Sequence, residues 1–389
     1  MAYKMRLLTD SHHARPTVSW FQDMIAAALG LVLSFGLISD SIYQTRYGDY
    51  SAVAPLQWAV YLGALLVAGW SAWLAWQRHR APATADNQGN DRPRTGLSAI
   101  PTGYGPFAIA VPLIIISGLV GLVWHVVFGV EQSRDAVLSP PHLGLAVGYV
   151  LLLAGPWLSQ RALRRDRVDQ AGVPHRLLRD VPTALALGSM FAVFILTVPY
   201  VFPVASSLKT LAVSMIDPMG AAEATGLAAS VAATIVSLAV VVVSTRHHRP
   251  VFGFFLVASV APAFAAGSFI GGDTLLMVVA VLAVGLLEDV LVWLVWPQLR
   301  RRRDLLVLGV AWPVAVWTAA VVVIEFRYGA WLGPEAIVGL PLLNALVGAL
   351  LMLFVKSEQL PPPPEADSAE NPFDDVIRRA KAMTDRSED

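Results

Sequence analysis

Apolar positions along this chain come in long unbroken runs, without the alternation of a half-buried strand or the single stripe of a soluble amphipathic helix. Ten runs reach membrane-crossing length: about 22–39, 53–76, 107–128, 142–160, 182–202, 223–244, 251–270, 274–296, 305–324 and 335–355. Each is long enough for a hydrocarbon core of about 30 Å. Hydrocarbon supplies no partner for backbone N–H and C=O groups, so runs of this kind are expected to be helices. The pattern predicts an all-α fold, a polytopic transmembrane bundle of about ten spans in five hairpins. Residues 1–21 form an N-terminal segment, 22–355 the membrane domain with a polar linker at 77–106, and 356–389 a Pro-rich tail.

The charges orient these runs. Of the 28 Lys and Arg, 24 fall in the two terminal segments and in the connections 77–106, 161–181, 245–250 and 297–304. The remaining connections hold only Arg46, Arg134, Lys209 and Arg327. Basic residues are retained on the cytoplasmic side, so both termini are predicted to be cytoplasmic, with the first span a retained anchor. The place this implies is an inner (plasma) membrane, crossed many times. Tryptophans such as Trp20, Trp70, Trp73, Trp76, Trp293, Trp296 and Trp331 gather at span ends, as an interfacial belt does.

Two further features bear on organisation. Offset by 86 residues, Asp49, Pro55 and Leu65 to Gly69 line up with Asp135, Pro141 and Leu151 to Gly155, a weak repeat consistent with duplicated hairpins. In the tail, after Pro361 to Pro364, the residues Phe373, Val376, Ile377, Ala380 and Met383 share one helical face. That face is expected to rest on the membrane or on a cytoplasmic loop.

Composition narrows the chemistry. With 56% hydrophobic and 14% charged residues, the chain departs from soluble domains, and lipid is its first partner. The absence of cysteine removes disulfides, thiolate metal sites and cysteine nucleophiles. Acids and bases balance at 28 each, and no nucleic-acid motif is present.

Six of the eight histidines, His12, His13, His79, His175, His247 and His248, fall in basic segments. His125 and His142 instead flank one outer connection that carries Glu131, Arg134 and Asp135. Ser139 is placed to cap the helix that begins at Pro140, which puts His142 in its first turn. Gly144 and Gly148 give that helix a thin face, and Gly118 and Gly121 share a face with His125. Ionisable groups near membrane depth are costly and mark candidate sites.

Asp40, Glu223, Asp273, Glu325 and Glu335 lie at other outer helix ends, where helix dipoles alone can account for an acid. Glu288 and Asp289 sit deeper, one to two turns from the inner end of their span. They need a cation, a proton or the nearby Arg300 to Arg303.

The segment Trp124-His125-Val126-Val127-Phe128-Gly129-Val130-Glu131, followed by Leu138-Ser139-Pro140-Pro141-His142-Leu143, resembles a family of uncharacterised bacterial polytopic membrane proteins over residues 117–148. Members often carry Asp four residues before the first His. That arrangement is similar to the metal-binding helices of the C subunit of copper membrane monooxygenases, the particulate methane and ammonia enzymes, where one Asp and two His hold the ion. The resemblance implies a divalent or copper ion on His125 and His142, supporting oxidative chemistry on a small or lipophilic substrate. Position 121 is Gly here. The missing carboxylate is then supplied by Glu131, by Asp135 or by another hairpin through Asp40 or Asp273, or the site is degenerate.

Three other readings stand beside this one. Glu288-Asp289 and the outer acids would mark a cation or proton route in a transporter. The basic loops and tail would recruit partners in a scaffold or assembly factor. A single b-type haem could lie between His125 and His142.

Overall fold

The computed structural model describes residues 18–47, 54–80, 99–129, 139–165, 178–197, 221–245, 250–267, 274–295, 302–328 and 334–355. These residues are helical with short turns, and no strand occurs among them. In chain order the helices are α1 (Trp20–Tyr47), α2 (Gln57–Arg80), α3 (Phe107–Phe128), α4 (Pro140–Leu153), α5 (Gly155–Arg165) and α6 (Val181–Thr197). They continue as α7 (Ala221–Thr245), α8 (Phe254–Ala258), α9 (Val260–Gly267), α10 (Thr274–Val295), α11 (Arg302–Tyr328) and α12 (Pro334–Phe354). The tail face from Phe373 to Met383 lies outside the described residues.

Seven helical stretches are long and apolar enough to cross a membrane: most of α1, all of α2 and α3, α4 continued into α5, and the bulk of α10, α11 and α12. They form because apolar residues surround each helix on every side, so each can face both neighbours and lipid. The exposed surface agrees: Leu275 is 76% exposed, Val126 86% and Phe326 88%. Water does not tolerate such a belt on a soluble monomer.

The other three apolar runs differ from a full span. The helix α6 has 17 residues, and the apolar part of α7 runs from Ser230 to Thr245. The run expected at 251–270 is broken into α8 and α9 at Ser259. There the Ser259 N–H donates to Phe255 O (2.9 Å) and Leu256 O (3.2 Å), while its hydroxyl also donates to Phe255 O at 2.8 Å. Such back-bonding bends helices. Gly253, at φ 94°, turns the chain into α8, a conformation that favours glycine.

The helices α1 and α2, α3 and α4, and α11 and α12 pack as consecutive antiparallel neighbours, and α10 packs on both α8 and α9. The third expected hairpin is not a packed pair. Although consecutive, α6 and α7 are not close neighbours: α6 lies against α1, α4, α5, α8 and α9, and α7 lies against α12. Small residues explain the central place of α6. Its buried positions include Ala184, Ala186, Gly188, Ser189 and Ala192, and a Cβ at Gly188 would collide with the Ala258 carbonyl. Small faces of this kind allow close helix approach.

Candidate functional site

His125 stands in the last turn of α3, which Gly129 ends: its φ is 83° and its N–H donates to His125 O at 3.0 Å. Pro140 opens α4, and Ser139 precedes it with extended backbone. The expected side-chain cap is not made. The Ser139 hydroxyl instead meets His142 Nδ1 at 2.7 Å, because the first turn of α4 brings that imidazole over it. The Nδ1 of His142 is thereby engaged with Ser139.

The two helices close on each other through their thin faces. A Cβ at Gly144 would strike Ser117, one at Gly148 would lie 2.5 Å from Ile114, and one at Gly121 would touch Pro141 at 3.5 Å. Gly118, expected on the same face, has open space beside it. The packing brings the imidazoles of His125 and His142 to a centroid separation of 6.5 Å, with planes at 67°. His125 Nδ1 is buried and lacks a hydrogen-bond partner. An orphaned buried nitrogen beside a second imidazole is a donor set that suits copper or zinc.

The spacing has a limit. Nitrogens about 2.0–2.1 Å from a shared ion place two imidazole centroids roughly 5–6.4 Å apart, from bent to linear arrangements. The observed 6.5 Å lies just beyond the linear limit, so a shared ion requires the rings to approach, and a bent arrangement requires them to close by about 1 Å. A porphyrin between the rings does not fit: α3 and α4 touch at Gly121 and Pro141, within a turn of both imidazoles.

The carboxylates divide. Glu131, Asp135 and Asp273 lie outside the described residues. Asp40 is buried in α1, where Gln44 Nε2 donates to its Oδ2 at 2.7 Å. The Gln57 amide, in the orientation that satisfies both groups, donates to Asp40 at 2.7 and 3.3 Å. Asp40 thereby ties α1 to the start of α2. Among the described residues, no three His, Cys, Asp or Glu side chains converge on one point. The acids at 223 and 335 belong to α7 and α12, and their side chains are outside the description.

The adjacent acids of α10 have separate fates. Asp289 accepts from the backbone N–H groups of Phe255 (3.1 Å) and Leu256 (2.9 Å), which caps the single turn of α8. Backbone amides thus compensate it, and among the described arginines Arg303 instead meets Asp304 at 3.4 Å; Arg300 and Arg301 lie outside the described residues. The Asp180 carboxylate accepts from Val251 N–H at 3.0 Å on the approach to the same turn. Glu288, one residue away, faces a cavity of about 360 Å3 walled by α6, α7, α8, α10 and α11. Its neighbour Trp312 is 2% exposed and lines the same cavity.

A polar cluster around Asp23 escaped the sequence reading. Asp23, fully buried in α1, accepts from Tyr104 Oη at 2.8 Å and Gln160 Nε2 at 2.7 Å. Tyr104 belongs to the end of the polar linker 77–106. That end packs because Gly103, at φ 90°, lies against the Ser159 backbone and Gly155 against the Tyr104 ring. Burial, and then the Asp23 carboxylate, holds the Tyr104 phenol well above its ordinary value. The available signals were weak: one acid in a first turn, and a Gly-Tyr-Gly in a polar stretch.

No protein-family model, curated protein or solved structure matches this chain. The likeness of residues 117–148 to the bacterial family and to the copper-enzyme helices therefore rests on the quoted residues. What stands plainly is that the described residues are helical, with seven stretches among them long and apolar enough to cross a membrane.

Proposed function

We propose that this is a multi-pass protein of a bacterial inner membrane that holds one copper or other divalent ion at the outer rim of the α3 and α4 pair. Its ten apolar runs cross in five out-and-back excursions with both termini cytoplasmic, a reading supported by the placement of 24 of the 28 basic residues. His125 and His142 are the ligands, and the 130–138 connection supplies a carboxylate, Glu131 or Asp135. The carrying observation is the buried, partnerless His125 Nδ1 beside an imidazole whose own Nδ1 is held by Ser139. Fixing the second nitrogen of a ligating imidazole is the usual outer-shell arrangement around a metal.

A bound copper ion would supply redox chemistry. Residues of α3 around the site face outward, with Val126 86% and Phe128 66% exposed, so a lipophilic substrate reaches the rim from the bilayer. The chain's part is to position the imidazoles and to keep their surroundings apolar.

Elemental analysis of detergent-purified protein after incubation with one equivalent of Cu(II) and dialysis tests the proposal. Wild type should retain about one ion per chain, and His125→Ala and His142→Ala should each lose most of it. Full retention by either variant contradicts the assignment. Glu131→Ala and Asp135→Ala, made separately, then show which acid completes the set.

A further inference from the structure

We propose that the cavity between α6, α7, α8, α10 and α11 is a binding site for a lipophilic ammonium ion, an alkyl chain ending in a protonated amine, with Glu288 as its counter-charge. This site is distinct from the outer-rim imidazoles and does not depend on them. Its volume, about 360 Å3, falls within the roughly 300–1,000 Å3 typical of small-molecule sites. Its walls are apolar, with Phe191, Phe255, Met277 and Val316 among the lining side chains. Among the described lining residues Glu288 is the one charged group.

Charge complementarity selects the occupant. A carboxyl group 8% exposed within an apolar helix either keeps its proton or ionises against a cation, and its neighbour Asp289 has already taken the backbone amides of α8. A plain hydrocarbon gains nothing from an acid in the wall, whereas an ammonium can form an ion pair with it. Trp312 and Trp317 line the same cavity, and indole faces attract ammonium ions. The Trp317 N–H is committed to Thr234 Oγ1 at 2.9 Å, so that residue offers its ring rather than its donor.

The lining also provides an entrance. Val279 of α10 is 54% exposed, and Ala319 of α11 is exposed, so an alkyl chain can enter from lipid between these helices with its headgroup leading. Gly285, one turn before Glu288, packs against Ser259 and Phe255, which fixes the end wall where α8 meets α9.

The test is calorimetric titration of the full chain in phosphatidylcholine nanodiscs with dodecylamine and with dodecanol, subtracting empty discs. Dodecylamine, protonated at pH 7, should bind saturably at about one per chain, and at least tenfold more tightly than dodecanol. Glu288→Gln should weaken amine binding at least tenfold and leave dodecanol unchanged. Should Glu288→Gln fail to fold, Ala280→Trp, which fills the cavity and keeps the acid, should abolish the saturable phase. Equal amine binding by wild type and Glu288→Gln, retention by Ala280→Trp, or no saturable binding beyond empty discs overturns the proposal.

Discussion

Removing the Asp23 carboxylate would leave the Tyr104 hydroxyl and the Gln160 amide buried without their acceptor, at about 1–3 kcal/mol for each orphaned group. Asp23→Ala should therefore lower the thermal midpoint of the purified protein by several degrees, with Asp23→Asn, which keeps an acceptor oxygen, intermediate. An unchanged midpoint for Asp23→Ala would show that the cluster is not structural. The residue scale was partly legible in the sequence. His125 and His142 stood out because imidazoles at span ends are rare, and the fold does bring them to 6.5 Å. Asp23 did not, because an acid in a first turn reads as a favourable partner for the helix dipole until the chain that covers it is known. The partners of Asp40 were hidden for a similar reason: Gln44 lies one turn away and Gln57 opens the next helix, spacings that only the fold converts into contacts.

At the scale of elements, the length of an apolar run located most helices well. The runs at 107–128 and 274–296 became α3 (Phe107–Phe128) and α10 (Thr274–Val295) almost residue for residue. The run at 251–270 gave no sign that it would break. Its interruption depends on Ser259 bonding back to Phe255, on Asp289 from another helix capping α8, and on Gly188 and Gly285 admitting the broken segment. The first of these is local but makes a bond that helical serines commonly make, the others come from distant helices, and hydropathy is blind to all of them. Gly188→Leu should force α6 away from the Ala258 carbonyl and cost at least about 1–3 kcal/mol, the usual cost of overpacking. Gly69→Leu, in open space on α2, should leave stability nearly unchanged. Comparing the detergent melting curves of the two variants checks this. Equal midpoints would show that α6 is not held by close approach to α8.

For the whole molecule, the belt of exposed apolar side chains and the sorting of basic residues make one membrane argument from independent properties, burial and charge. The absence of cysteine allows a direct test of sidedness by single-cysteine labelling. In intact cells, Arg134→Cys should react with an impermeant maleimide, and Arg92→Cys should react only after lysis. The reverse pattern would invert the topology and move the imidazole pair to the inner face. The failure of α6 and α7 to pair shows that topology and packing are separate questions: loop charges order the crossings, whereas side-chain size decides which helices touch. The claim on which the functional account turns is that His125 and His142 share one ion. X-ray absorption of the protein carrying one equivalent of Cu(II) tests it most directly. The account predicts two imidazole nitrogens at about 2.0 Å with at least one oxygen ligand, and loss of the imidazole scattering in the His125→Ala, His142→Ala double variant. A copper shell without imidazole, or one unchanged in the double variant, would contradict it.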